Sequence, residues 1–183
     1  AGIQGPELIQ ASKKQAERFG AKYIPEDAVS LSKTNNFYEI NAGKTYRART
    51  IIICTGASAR TLGIPGEKEF WAKGVSTCAP CDAPIFRNKV VVVVGGGDSA
   101  MEESITLAKF ARKLTIVHRR DEFKASKIMQ KRIFDLKGKI DIIWNSEVTE
   151  VFGDKFVKGV KIKNVKTGKT WEIPCDGMFL AIG

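Results

Sequence analysis

The chain has 183 residues, of which 43% are hydrophobic and 27% charged, and it carries a net charge of +10. That length suits one good domain or two small ones. No apolar run is long enough to span a bilayer, the start lacks the basic-then-apolar pattern of a secretory signal, and four cysteines are too few for a disulfide-stapled scaffold. A reducing compartment, the cytoplasm, is the expectation.

Basic residues are spread along the chain, as at Lys13, Lys44, Lys89, Lys155 and Lys169, with no block interleaved with aromatics. Nucleic acid is therefore not expected as a partner. Positive charge is concentrated only at His118-Arg119-Arg120 and the residues that follow, Lys124, Lys127, Lys131 and Arg132.

In chain order, residues 7–19 read as a helix stopped at Gly20. Residues 28–32 read as a strand, and 36–41 with 44–48 as a hairpin around Ala42-Gly43. Residues 50–54 form a short apolar run ending in Thr55-Gly56, the pattern of a buried strand. Gly63, Pro65 and Gly66 mark a linker.

The five valines at 90–94 are β-branched and suit a strand covered on both faces. Helix 98–113, strand 114–117, helix 122–136 and strand 140–144 follow. This β-α-β-α-β series implies an α/β fold with a parallel sheet. Segments 148–152, 156–165 and 169–173 form a β-meander, and 176–182 is a last apolar strand.

Gly95-Gly96-Gly97-Asp98-Ser99-Ala100 fits G-x-G-x-x-A between that strand and its helix. Gly95 permits the tight turn, Gly97 the approach of a pyrophosphate, and Ala100 close packing of helix on strand. Free N–H groups at the helix start, around Asp98 and Ser99, would hold the phosphates. An acidic residue about 20 positions on would bind the 2′-hydroxyl of NADH. This chain has His118, Arg119 and Arg120 there, which suits the 2′-phosphate of NADPH. His118, the only histidine, is assigned to this phosphate pocket rather than to acid catalysis.

Cys78-Ala79-Pro80-Cys81 is a C-x-x-C pair. A structural zinc site needs four ligands. Cys54 and Cys175 are single, beside apolar runs, and read as buried packing residues. No metal is expected. The redox reading needs nothing further, since the spacing closes a small disulfide. Asp82 is placed to move a proton as thiolate and disulfide interconvert.

Taken together, Cys78–Asp82 with Phe86–Lys89, Gly95–Glu103, His118–Asp121, Ile142–Ser146, Phe179–Gly183 and Cys54–Arg60 resemble the low-molecular-weight thioredoxin reductases over essentially the whole chain. The resemblance implies a homodimeric flavoenzyme of two Rossmann-like domains using FAD and NADPH. Electrons would pass from NADPH through FAD to the Cys78–Cys81 disulfide and on to thioredoxin. Cys81 would face the flavin, Cys78 would attack the thioredoxin disulfide, and Asp82 would donate a proton.

On this pattern residues 1–62 are part of the FAD domain, with Thr55 and Gly56 in the flavin site. Residues 63–177 are the NADPH domain carrying the dithiol, and 178–183 a strand returning to the FAD domain. The family's N-terminal FAD fingerprint is absent, as is the segment expected after Gly183, so a fragment that binds FAD poorly is expected. Ala83-Pro84 replaces the family's glycine after the dithiol aspartate, shortening the loop. Lys124 replaces an arginine, keeping a point charge without the fork and modestly weakening NADPH preference. The alternatives are the flavoprotein subunit of an alkyl hydroperoxide reductase, a dithiol oxidase, or a nucleotide-binding module without catalysis.

Overall fold

A computed structural model describes residues 2–183. The chain divides into two compact units, one ending at Gly56 and the other spanning Ala57–Gly183.

In the first unit helix α1 (Gly5–Arg18) begins with Pro6 in its first turn, where a missing N–H costs nothing. Strands β1 (Ser30–Lys33), β2 (Tyr38–Ala42) and β3 (Lys44–Ala48) form an antiparallel sheet in that order. Gly43 makes the hairpin turn at φ +68°, a conformation that glycine adopts without strain.

Residues 50–54, expected as a buried strand, are not one. They take up no regular structure, and Ile52 is 89% and Ile53 70% exposed. A β-rich run becomes a strand only against a ladder partner, and among the described residues none pairs with this segment. Cys54 is likewise exposed rather than a packing residue.

The second unit is built on a parallel sheet. Its strands are β4 (Val75–Ser76), β5 (Val90–Gly95), β6 (Lys113–Val117), β7 (Ile140–Ile143) and β11 (Gly177–Ala181), in the order β4-β11-β5-β6-β7. Helices α2 (Ala79–Asp82), α3 (Asp98–Ala108) and α4 (Lys127–Phe134) serve one face. The antiparallel meander of β8 (Ser146–Gly153), β9 (Val157–Asn164) and β10 (Thr170–Pro174) covers the other.

The valine run shows why both layers are needed. Side chains alternate along a strand. Val91 and Val93 join Met101, Leu107 and Ile133 in the helix-side core, while Val92 and Val94 join Val148, Val160 and Ile162 under the meander.

Strand β11 lies at the centre of this sheet, paired with β4 on one side and β5 on the other. The expectation that 178–183 returns to the first unit is corrected accordingly: the apolar run Met178–Leu180 is fully buried between the two cores and needs neighbours on both edges. Helix α3 ends at Ala108 rather than at 113, because residues 109–112 turn to bring Arg112 N–H onto Lys89 O at 2.8 Å. Helix α4 starts only at Lys127, because Lys124 and Ala125 donate their N–H groups to Gly96 O instead of entering a helix.

Candidate functional site

The strand order reverses at β5. The chain runs to β6 and β7 on one side, and returns through the meander to β11 on the other. Ligands of open α/β sheets bind at the carboxyl ends of the strands at such a reversal. Gly95 ends β5 there, opposite Ala181 of β11. A Cβ on Gly95 would stand 2.2 Å from Ala181 O and 2.9 Å from the Ala100 methyl, so only glycine fits. Ala100 is fully buried, and the helix sits as close to the strand as the pattern implied. A Cβ on Gly97 would meet nothing within 4 Å. The backbone at the α3 N-terminus therefore borders open space, where its first N–H groups lack intrahelical partners.

A second turn, carrying the basic residues, is fastened to the first. Lys124 and Ala125 donate to Gly96 O at 2.8 and 3.1 Å. Asp98 Oδ1 accepts the Ser126 N–H at 2.9 Å and its hydroxyl at 2.8 Å. Asp98 thus holds the two turns together. His118 lies between them. The residue is 8% exposed, its ring Nε2 donates to Glu122 O at 3.0 Å, and a Cβ on Gly96 would fall 2.3 Å from the ring. The rings of Phe123 and Trp144 pack around it. Burial pulls the imidazole pKa below its ordinary value, and the charges of Arg120 and Arg119 push the same way against the Glu122 hydrogen bond. His118 therefore sets the spacing between the glycine turn and the basic turn from within.

Arg119, Arg120 and Lys124 are exposed, and among the described residues none of them forms an ion pair. The adjacent acid, Asp121, is held by Lys166 at 2.8 Å, which draws its carboxyl below the usual range. It is turned to the meander rather than to the arginines, whose charge stays free for a phosphate.

The dithiol follows β4 and so lies at the same carboxyl edge of the sheet. Cys78 and Cys81 form a disulfide with Cα atoms 5.3 Å apart. Cys78 is partly buried and Cys81 exposed. Four small or apolar contacts set the turn: Ala79 and Ala83 are buried, and Phe86 packs edge-on to Phe179 at 5.1 Å and against Gly177. Ala83-Pro84 continues directly into a single 3₁₀ turn, Ala83–Phe86, so the shortened loop is a closed structural element. Asp82 borders a cavity of about 610 Å³ with Lys73, Lys89, Lys158, Ile85 and Phe156 among its walls.

Two residues that sequence reasoning left aside complete the arrangement. Glu103 of α3 accepts the Ala79 N–H at 2.9 Å, joining the helix of the nucleotide turn to the dithiol turn. Buried Glu67 accepts the N–H groups of Leu62, Gly63 and Ile64 at 3.0, 2.7 and 3.3 Å, fixing the start of the unit. Their signal was faint: a second glutamate beside Glu102, and a glutamate after Pro65-Gly66.

Thr55 and Gly56 are exposed in a segment without helix or strand. Cys175 is buried, which pushes its thiol up to about 12. Among the described residues no group of three or more His, Cys, Asp or Glu side chains is placed to hold a metal ion, and no helix is long and apolar enough to cross a membrane.

Comparison with known proteins agrees with this geometry. Residues 7–183 match the family model for pyridine nucleotide-disulphide oxidoreductase. The chain is 47% identical to a thioredoxin reductase of Streptomyces coelicolor over all of its own length and 57% of that protein's. It is 46% identical to a bifunctional thioredoxin reductase/thioredoxin of Mycobacterium leprae, covering 40% of it. The solved thioredoxin reductase of Giardia duodenalis superposes with a TM-score of 0.81 at 44% identity, over 99% of this chain and 60% of that one. The chain thus spans less than two thirds of these relatives. A glycine turn and a C-x-x-C disulfide on one edge of a parallel sheet, with a family match over nearly every residue, lead to one conclusion: this chain belongs to the pyridine nucleotide-disulphide oxidoreductase family.

Proposed function

We propose that the chain is the nucleotide-binding and dithiol-bearing part of an NADPH-dependent thioredoxin reductase. The observation that carries this reading is the direct link between the two sites: the α3 helix opens at the nucleotide turn and holds the dithiol turn through Glu103. NADPH would lie with its pyrophosphate at Gly97, Asp98 and Ser99 and its 2′-phosphate against Arg119, Arg120 and Lys124. In the complete enzyme FAD would supply the two-electron relay between nicotinamide and disulfide. Thr55 and Gly56 are the residues of this chain assigned to it by family resemblance.

The work of the chain's own residues starts at the disulfide. Two electrons and two protons convert Cys78–Cys81 to a dithiol, and Asp82 is the adjacent carboxyl group that can hold and release one of those protons. Cys78 then attacks the partner disulfide as a thiolate, and Cys81 displaces it from the mixed disulfide. The cavity beside Asp82 is lined by lysines and by Asp154 and Asp176, with Ile85 and Phe156 exposed at its wall, and a thioredoxin is the partner proposed from the family resemblance. A cytoplasmic homodimer is the setting proposed.

The test is NADPH-driven reduction of thioredoxin by the complete protein, with Cys78→Ser alongside. The expected result is turnover that Cys78→Ser abolishes while leaving NADPH binding unchanged. Binding of NADPH without any disulfide reduction would instead identify a nucleotide-binding module.

A further inference from the structure

The start of a helix ordinarily lowers a cysteine pKa, because free N–H groups and the helix dipole stabilise the thiolate. Cys78 occupies that place as the N-cap of α2, its sulfur joined to Cys81 in the disulfide. The nearest donors are already used or missing. The Cys78 N–H goes to Ser76 Oγ at 3.1 Å. The Ala79 N–H goes to Glu103 Oε2 at 2.9 Å. Pro80 has no N–H. An N-cap side chain ordinarily draws on the second and third N–H groups of its helix, here Pro80 and Cys81, so the Cys81 N–H alone remains, and the neighbouring Ala79 N–H is held by a carboxylate.

We propose that Ser76 and Glu103 withhold the backbone N–H groups of the dithiol turn from the Cys78 sulfur, and that the Glu103 charge further resists thiolate formation, keeping the Cys78–Cys81 couple strongly reducing. A dithiol whose thiolate is stabilised holds its electrons and becomes an oxidant, and one without that stabilisation gives them up. The direction suits a donor to another protein's disulfide, so the inference rests on the reductase reading and deepens it. Glu103 is a positioning residue, acting on the sulfur through the turn.

The charges around the turn are unequal. Glu102 is beside Glu103 on α3, and Arg132 of α4 lines the same 440 Å³ cavity as both glutamates and Pro80. Asp82 lies at the far end of α2. Burial raises the Glu103 pKa, with the charge of Glu102 adding to it against the Ala79 hydrogen bond. A carboxylate retained there despite that cost is consistent with a task for its charge.

The experiment is the equilibrium of this chain with glutathione: the disulfide plus two glutathione thiols gives two protein thiols and oxidised glutathione. One disulfide breaks, another forms, two electrons pass to the sulfurs of Cys78 and Cys81, and the protons end on those thiols. The fraction reduced is read by alkylation and mass spectrometry. The pH dependence of Cys78 alkylation in the reduced chain is read in parallel.

Glu103→Gln keeps an acceptor for Ala79 and removes the charge. It is expected to raise the Cys78 thiolate fraction about tenfold at a given pH below its pKa. Above that pKa it should shift the redox equilibrium by up to about tenfold toward the dithiol, which is about 30 mV for this two-electron couple. Ser76→Ala frees the Cys78 N–H and should move both readouts the same way, which covers a failure of the first variant to fold. Folded variants with unchanged Cys78 alkylation profiles would overturn the inference and leave the reductase reading intact. A disulfide that dithiothreitol in excess cannot open in the folded wild type would overturn the reductase reading itself.

Discussion

Adding one methyl group at Gly96 or Gly97 separates the two roles given to the nucleotide turn. At Gly96 the new Cβ falls 2.3 Å from His118 Cε1 and Nδ1 and 2.7 Å from Cγ, where ordinary contact begins near 3.4 Å. The ring or the turn must retreat by about 1 Å. The ring is buried, bonded to Glu122 O and packed by Phe123 and Trp144, so it has nowhere soft to go. Overpacking of this kind costs about 1–3 kcal/mol, and for a chain of this size about 2 kcal/mol lowers the melting temperature by roughly 4–8 °C. Gly96→Ala should show that loss in thermal and urea unfolding, with weaker NADPH binding because the glycine and basic turns are pushed apart. At Gly97 the methyl meets no protein atom. Gly97→Ala should lose no more than about 1 kcal/mol of helix capping, yet bind NADPH at least about tenfold more weakly by calorimetry, about 1.4 kcal/mol, because the methyl stands in the pyrophosphate's path. A Gly97→Ala chain with wild-type affinity, or a Gly96→Ala chain with wild-type stability, would refute the placement of this turn.

Other outcomes follow from the same contacts. Asp98→Ala loses both Ser126 bonds and should weaken NADPH more than NADH in parallel titrations, because the basic turn slackens while the glycine turn remains. Glu67→Ala strands three N–H donors of residues 62–64 and should cost about 2–4 kcal/mol in urea unfolding, since hydrogen bonds to a charged acceptor are worth about 1.5–3 kcal/mol each when buried and less at exposed Gly63. His118 has a folded pKa below its unfolded value, so its contribution to stability is present above about pH 6.5 and is lost as pH falls through the lower folded pKa. Acid melts of wild type should show this slope, and His118→Gln should flatten it. Iodoacetamide at pH 8 should label Cys54 and spare Cys175, whose thiol keeps its proton; mass spectrometry of the native chain reads the difference.

The second unit was legible because its pattern agreed at every level. The valine run, the glycine turn and the paired helices each demand a parallel sheet with both faces covered, and the meander supplied the second cover. The dithiol was legible from spacing alone. Three things were not. The run at 50–54 carries the composition of a buried strand, but composition does not say whether a partner strand is present. The place of β11 could not be read either, because a last apolar strand fits equally at a sheet's centre or in another domain. Nor does the position of His118 after its strand reveal that its ring packs against Gly96. The contacts that matter most to the site, Asp98 to Ser126 and Glu103 to Ala79, join residues 28 and 24 positions apart. No local pattern announces a pairing at that range.

The basic turn is proposed to recognise a 2′-phosphate. This is tested most directly by calorimetric titration of this chain with NADPH and with NADH at two salt concentrations, in wild type and in Arg119→Ala/Arg120→Ala. NADPH should bind at least about tenfold more tightly than NADH, equivalent to about 1.4 kcal/mol. That preference should fall with salt and disappear in the double variant, with NADH affinity little changed. Equal affinity of the wild-type chain for the two nucleotides, or a preference that survives removal of both arginines, would contradict it.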